Sequence, residues 1–418
     1  MRSSRHIYGK LGGAHPSRIR ALSPAAWYQP GVGVTGSLTV SNWADQSGNG
    51  RDLAQGTAGN QPINLPHTGT DYAYLPAVAS NTFTTPNQSV TGSFVLTFDI
   101  ALNDYTPAGD VTLLSKTSGN DGFSVLWLTT DKLRFIVGDG ASLTSCDASV
   151  ASGLTDASRH TITITWTDGV GASLAIDGVA WGSAIVAAKT LTNAAVVFTL
   201  GSSTSIGKVY GVTLGSLVNF QPSAFVETST NGTTAAMSTG EVWTLNSTGE
   251  KPAQIVKSSS LLSDGVGINM VATFTFNQPE TFYIVFKQNV WSAGKFLMDG
   301  GAVVNTARVS QQNATPELDL YAGGFAAGNT DAAISSYVIG TFQFNGASSL
   351  IQINSGTATT GNAGAANAGG ITIFAGYLTG GTYGAFQIKE VIAFSAAHTA
   401  AQRAIVQAYL SARHGIAL

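Results

Sequence analysis

The 418-residue sequence predicts an all-β protein: two antiparallel β-sandwiches in tandem, preceded by an extended N-terminal arm and closed by one helix. Three observations predict it. Apolar strands recur in the same order in both halves. Short Thr-, Val-, Phe- and Ile-rich runs are separated by Asp-Gly, Gly-Asn and Gly-Ser turns, the pattern of half-buried antiparallel strands. Only the last segment carries a clear helical period.

The repeat is read strand by strand. Phe94-Val-Leu-Thr-Phe98 recurs as Phe282-Tyr-Ile-Val-Phe286, 188 positions on (282 minus 94). Leu133-Arg-Phe135-Ile-Val137-Gly138 recurs as Leu318-Asp-Leu320-Tyr-Ala322-Gly323, 185 positions on (318 minus 133). Ile162, Ile164 and Trp166 lead to Asp168-Gly169 and then to Leu174, Ile176 and Asp177-Gly178; Phe342 and Phe344 lead to Asn345-Gly346, Ile351, Ile353 and Asn354. Conserved order across several elements makes duplication a stronger reading than any one short match.

Residues 1–25 contain Arg2, Arg5, Lys10, Arg18 and Arg20, with no acidic residue before Asp45. They read as a basic docking arm with Ile7, Tyr8, Leu11 and Ile19 as apolar anchors, or as a solvated tail. The first sandwich is expected over 26–222, where Thr161 to Thr167 alternates strictly between a packed and a solvated face. Pro222 follows its last strand, so the second sandwich is expected over 223–418. The closing helix is expected over 399–414. Thr399 and Gln402 form a capping box, Ile405, Val406, Tyr409 and Leu410 form an apolar stripe, and Gly415 supplies a left-handed stop.

Charged residues are only 10% of the chain and the net charge is −3, which gives a polar, nearly uncharged surface and no field for nucleic acid. The single cysteine, Cys146, excludes an intrachain disulfide. No apolar run of signal-peptide or membrane-spanning length occurs, so neither conventional secretion nor membrane insertion is expected.

Trp43-Ala-Asp45-Gln-Ser47-Gly48-Asn49-Gly50-Arg-Asp52-Leu53 resembles the early motif of laminin-G-like, concanavalin A-like jelly rolls. The ending, Ile388-Lys-Glu-Val-Ile followed by the Thr-initiated helix and Arg413-His414-Gly415-Ile416, is similar to bacteriophage structural members of that family. The resemblance implies that both sandwiches are jelly rolls and that the chain is a virion protein. Two departures stand out: the second opening, Glu241-Val-Trp243-Thr-Leu-Asn246, lacks the Asp-x-Ser-Gly-Asn-Gly loop, and the first sandwich lacks a closing helix.

No Glu pair suited to catalysis is found in the sequence; counting leaves Asp-based catalysis open, but its best clusters, Asp168-Gly169 and Asp177-Gly178, read as hairpin turns. A retaining glycosidase needs two carboxylates about 5 Å apart, usually from alternate positions of one strand. Here the first Glu is Glu227, and Glu241, Glu250, Glu280, Glu317 and Glu390 are scattered singly. The six His are dispersed and no Gly-x-Ser-x-Gly elbow occurs. Calcium is the one plausible ion, at Asp45, Asn49 and Asp52 or at Asn120 and Asp121. The same residues can close Asx turns, and the shortage of carboxylates favours that reading. Aromatic rings for stacking on a sugar are Tyr72, Tyr74, Trp127, Trp181 and Trp291, several of which must be core.

These readings together lead to a non-enzymatic bacteriophage virion structural protein, made in the host cytoplasm and carried on the particle exterior. Its expected role is a tail-fibre or tail-associated adhesin, a homo-oligomer (a homotrimer by the resemblance), docked by its arm to other virion proteins and attaching to host surface glycan. A capsid decoration or head-fibre protein is the alternative, and a secreted bacterial glycan-active enzyme a third reading.

Overall fold

The computed structural model describes residues 15–418 other than 79, 131, 150–153, 187, 202–205, 327 and 378–379. Its strands form four eight-stranded antiparallel sheets, two for each of two jelly-roll sandwiches. The chain divides into an inserted unit, His67–Lys257, and an outer unit made of the residues up to Pro66 together with Ser258–Leu418.

The two units share a strand order. One sheet of the inserted unit runs Val179–Val186, Gly171–Ile176, His160–Thr167, Phe94–Leu102, Gly207–Leu214, Tyr72–Leu75, Gln254–Val256. Its counterpart runs Thr359–Gly361, Ser349–Ile353, Tyr337–Phe344, Glu280–Gln288, Phe386–Phe394, Ser260–Leu262, Ile63–Leu65. The repeat read from the sequence therefore occupies equivalent places, with Phe94–Leu102 and Glu280–Gln288 at the centre of each sheet.

The domain boundary is corrected. A cut at 222/223 would give each repeat its own opening segment, but the opening segments are exchanged. Ala26–Tyr28, Asn42–Trp43, Leu53–Ala54 and Ile63–Leu65 complete the outer unit, while Val218–Phe220, Thr234–Ala236, Val242–Asn246 and Gln254–Val256 complete the inserted unit. The second set follows the first at a displacement of 192 (218 minus 26), in the same order. Loop closure explains the exchange. After Gly207–Leu214 the chain turns back within three residues, 215–217, to pair Leu214 with Val218 and Val212 with Phe220. That hairpin costs little closure entropy, so the second opening segment goes to the body just before it. The later body is left with the first segment, through Trp27 opposite Ile392, Ala54 opposite Val271 and Leu65 opposite Ser260.

The Asp45 loop and the closing helix therefore lie in one unit, the outer one, and the inserted unit carries neither. Each core is a single apolar cluster between its sheets. Phe83, Phe98, Trp127, Trp166, Phe220 and Trp243 build the inserted one, and Tyr28, Trp43, Phe282, Phe342 and Ile388 the outer one.

A third layer covers the outer unit alone. The helix Ala400–His414 begins at the expected Thr399–Gln402 capping box and ends at Gly415, whose φ is 66°. With the short helix Pro16–Ala21 it covers Tyr283, Val285, Ile339, Ile392 and Phe394 on the outward face of the sheet. At the matching outward positions of the inserted unit stand Val95, Thr97 and Thr163, which leave little apolar area for a helix to bury. Beneath the helix, the fully buried Glu390 accepts from Trp27 Nε1 at 2.7 Å and Tyr409 Oη at 3.3 Å, and pairs with Arg413 at 3.0 Å and His414 at 2.8 Å. One carboxylate thus ties the first strand, the sheet and the last helix together.

The expected arm over 1–25 is also corrected at its end. From Pro16 onward the segment is part of the outer unit: Ile19 is fully buried, and Arg20 lies over the Trp27 ring at 5.4 Å. Arg2, Arg5 and Lys10 lie outside the described residues.

Candidate functional site

The buried carboxylates are engaged or inaccessible. Glu280 faces the outer unit's interior on the side of Phe282, whereas Glu390 faces the helices on the opposite side of the same sheet. Burial pushes the Glu280 carboxyl up to about 9, so it is neutral at pH 7. Glu241 accepts from the Asn219 amide at 2.6 Å and from Thr239 Oγ1. Glu317 accepts from Asn313 at 3.1 Å. Glu280 and Glu390 thus lie on opposite faces of one sheet.

The Asp45 loop is closed by hydrogen bonds. Asp45 Oδ1 accepts from the amides of Trp27 at 2.9 Å and Ser47 at 2.8 Å; Oδ2 accepts from Ser47 Oγ at 2.7 Å and the Arg51 amide at 3.2 Å. Asp52 Oδ1 takes the Asp45 amide at 2.9 Å. Asn49 turns its amino group to Ala25 O at 3.0 Å, and the Arg51 guanidinium donates to the same oxygen at 2.9 Å. The residues do not fit calcium: donors occupy both Asp45 oxygens and a fixed cation shares the loop. Gly48 at φ 94° and Gly50 at φ 66° supply the left-handed turns that this closure needs. The second candidate fits no better, since Asp121 Oδ1 accepts from Thr192 Oγ1 at 2.6 Å and Asn120 donates to Ala141 O. Among the described residues, no group of three or more His, Cys, Asp or Glu is arranged to hold a metal.

Three of the five candidate sugar-stacking rings are corrected by burial. Trp127 is 0% exposed, edge-on to Tyr105 and donating to Tyr105 O at 2.8 Å, while Tyr72 and Tyr74 are 1% and 5% exposed. A ring packed on both faces cannot stack on a ligand. Trp181, on the Val179–Val186 edge strand, and Trp291, held by Nε1 to Glu317 O at 3.1 Å, are half-buried. They belong to different units.

The structure assembles another surface. On the outward face of the inserted unit's second sheet, Thr234, Thr244, Thr84, Thr199, Ser115, Ser124, Ile136 and Ser145 stand opposite one another in register across all eight strands. Their chain neighbours Trp243, Phe83, Phe198, Leu114, Phe123, Phe135 and Cys146 point into the core. Strands lie about 4.8 Å apart, so the row spans roughly 34 Å. Seven of the eight carry a hydroxyl, of which Ser124 is buried, and Ile136 interrupts them. The row itself contains no charge, while the Arg134–Asp147 ion pair stands beside Ile136 and Ser145 on the same face. Asn246 extends the row, donating to Thr82 and Thr84 at 3.1 Å each.

An open groove of about 610 Å³ lies against this row, lined by Thr84, Pro86, Asn87, Val196, Val197 and Thr244. Lys116 holds its wall: the buried ammonium reaches Asn87 Oδ1 at 2.6 Å, Val196 O at 3.4 Å and Ala194 O, over the Phe198 ring. Burial pushes its pKa down to about 8. The threonine alternation of single strands was visible in the sequence, but the row arises only when eight distant strands align, and that register is set by long-range pairing.

No family model matches the sequence, and neither does any curated protein. Among solved structures, domains LG4-5 of the mouse laminin alpha1 chain are similar, at 10% identity and a TM-score of 0.32, covering 80% of this chain and 90% of that one. The receptor binding domain of botulinum neurotoxin D is similar at 10% identity and 0.28, covering 79% and 75%. The botulinum neurotoxin serotype D ligand binding domain in complex with N-acetylneuraminic acid is similar at 9% identity and 0.28, covering 90% and 98%. These likenesses are to laminin-G and toxin receptor-binding jelly rolls, at scores too low to bear on function.

Proposed function

We propose that this chain is a non-enzymatic structural protein of a tailed-bacteriophage virion, a tail-fibre or tail-associated adhesin that lays the hydroxyl row of its inserted unit against neutral host-surface glycan. The row is the observation that carries the reading. Hydroxyls both donate and accept, a row without charge of its own suits an uncharged sugar chain, and an open groove beside it takes a polymer without enclosing it. A hydroxyl hydrogen bond contributes only about 1 kcal/mol net, so a single face binds weakly and a trimer would multiply it by avidity. Low charge and a lone buried thiol suit a protein folded in a cytoplasm and then carried outside on a particle. Arg2, Arg5 and Lys10 would dock it to an acidic partner in the virion.

The test is a glycan array probed with the full chain and with a Thr84→Glu, Thr199→Glu variant. Retention of neutral polysaccharide, reduced at least tenfold in the variant, supports the reading. Equal retention by both proteins contradicts the face, and release of reducing ends contradicts the non-enzymatic assignment. Imaging of labelled particles tests the tail location.

A further inference from the structure

We propose that the surface around Arg308 in the outer unit is the closed form of a binding site for a carboxylated sugar, with Phe325 as its movable cover. The proposal concerns the outer unit only and does not depend on the hydroxyl row.

Arg308 opens the strand Arg308–Gln311 and stands opposite Tyr321 in the ladder. Val309 and Leu320 fill the core, so Arg308 and Tyr321 share the outward face. Three rings surround the guanidinium: Phe296, Tyr321 and Phe325 lie 5.0, 4.5 and 4.8 Å from its carbon. Arg308 is 8% exposed. Its Nη1 donates to Asn305 Oδ1 at 3.0 Å, while Nε and Nη2 are buried without a hydrogen-bond partner. Those two nitrogens form the side-on edge with which an arginine grips a carboxylate through two parallel hydrogen bonds. Leaving such donors buried and unpaired is costly, and a ligand carboxylate would satisfy both.

The nearby acids do not fill this role. Asp319 Oδ1 accepts from Ser310 Oγ at 3.0 Å, and Asp299 accepts from the amides of Gly300, Asn305, Thr306 and Tyr377. They set the charge of the guest instead. Both oppose an anionic guest, a dianionic phosphate more than a monoanionic carboxylate, so the two-hydrogen-bond fork must carry the binding. Tyr321 and Phe325 supply apolar faces for the C–H face of a pyranose, whereas Phe296 is buried beneath the guanidinium as packing.

Phe325 is suited to move. It is 57% exposed although it covers a buried cation, and it bridges to Tyr321 across a short turn. Swinging it outward exposes little further of its own apolar area and opens one side of the guanidinium and the Tyr321 ring beside it.

The test uses the full chain with methyl glucuronide, the methyl glycoside of N-acetylneuraminic acid, and neutral methyl glucoside, read by calorimetry. Saturable binding of at least one acid sugar and none of the glucoside is expected; which acid binds identifies the source of the carboxylate. Arg308→Gln and Arg308→Lys should each weaken binding at least tenfold, because Lys keeps the charge but lacks the fork. Phe325→Ala, at an exposed position, guards against a folding artefact: phenylglyoxal should modify Arg308 in this variant and not in the parent, and the bound sugar should slow it. The Thr84→Glu, Thr199→Glu variant should bind the acid sugar as the parent does. Failure of both acids to bind, unchanged affinity in Arg308→Gln, or an unreactive Arg308 in Phe325→Ala overturns the proposal.

Discussion

Truncating one tryptophan from each opening segment separates the exchanged arrangement from a simple tandem one. Trp43 lies in the first sixty residues but is 1% exposed in the outer core, tilted on Tyr28 at 5.7 Å and donating to Gln29 O at 2.9 Å. Trp243 lies beyond the expected boundary at 222 but in the inserted unit's core, 4.9 Å from Phe220. Buried Trp→Ala changes cost about 3–5 kcal/mol through lost transfer energy and the cavity left behind. At roughly 2–4 °C per kcal/mol for units of this size, each change should lower one melting transition by about 10 °C. Calorimetry would follow the transitions, and hydrogen exchange on peptides from Phe94–Leu102 and Glu280–Gln288 would assign them. Trp43→Ala should loosen Glu280–Gln288 and spare Phe94–Leu102, and Trp243→Ala should do the reverse. If Trp43→Ala instead loosens Phe94–Leu102, the exchange is refuted.

Other outcomes follow from single groups. Glu390→Ala should cost the outer unit about 3–5 kcal/mol, because it strips a buried carboxylate from Arg413 and His414, and exchange along Ala400–His414 should accelerate. Glu280 has its folded pKa raised from 4.5 to about 9, so the folded state holds a proton that the unfolded chain releases. The protonated group's contribution is complete below pH 4.5 and is lost as pH rises toward 9, so Glu280→Gln should raise the outer unit's melting point at pH 8 and leave it nearly unchanged at pH 4. Thr399→Ala should cost about 1 kcal/mol by removing the helix cap, seen as faster exchange in the first turn. Asp45→Ala should destabilise the outer unit equally with calcium or with a chelator present, because its oxygens bind amides and not a cation.

Local signals in the sequence carried the elements well. The Thr399–Gln402 box and Gly415 marked the helix, and the alternation through Ile162, Ile164 and Trp166 marked a strand with one buried face. The order of repeats was also legible. Partnership was not: nothing in Trp43 or Leu53 states which body they complete, because both bodies offer similar strand edges and the three-residue turn before Val218 decides the matter. The sugar-stacking candidates failed at Tyr72, Tyr74 and Trp127 for a related reason, since a large ring at a strand position is most often packing mass. The arm was misjudged at Ile19, whose burial depends on Tyr409 and Leu410, nearly four hundred residues away. Arg308 drew no notice because its significance lies in three rings on other strands and turns.

The most direct measurement is to produce residues 67–257 alone and compare them with residues 26–222. The account predicts that 67–257 melts cooperatively and retains neutral polysaccharide, because both sheets and the whole hydroxyl row lie within it, while 26–222 lacks Trp243 and the Val242–Asn246 and Gln254–Val256 strands and fails to fold. A cooperatively folded 26–222 beside an unfolded 67–257 would contradict it.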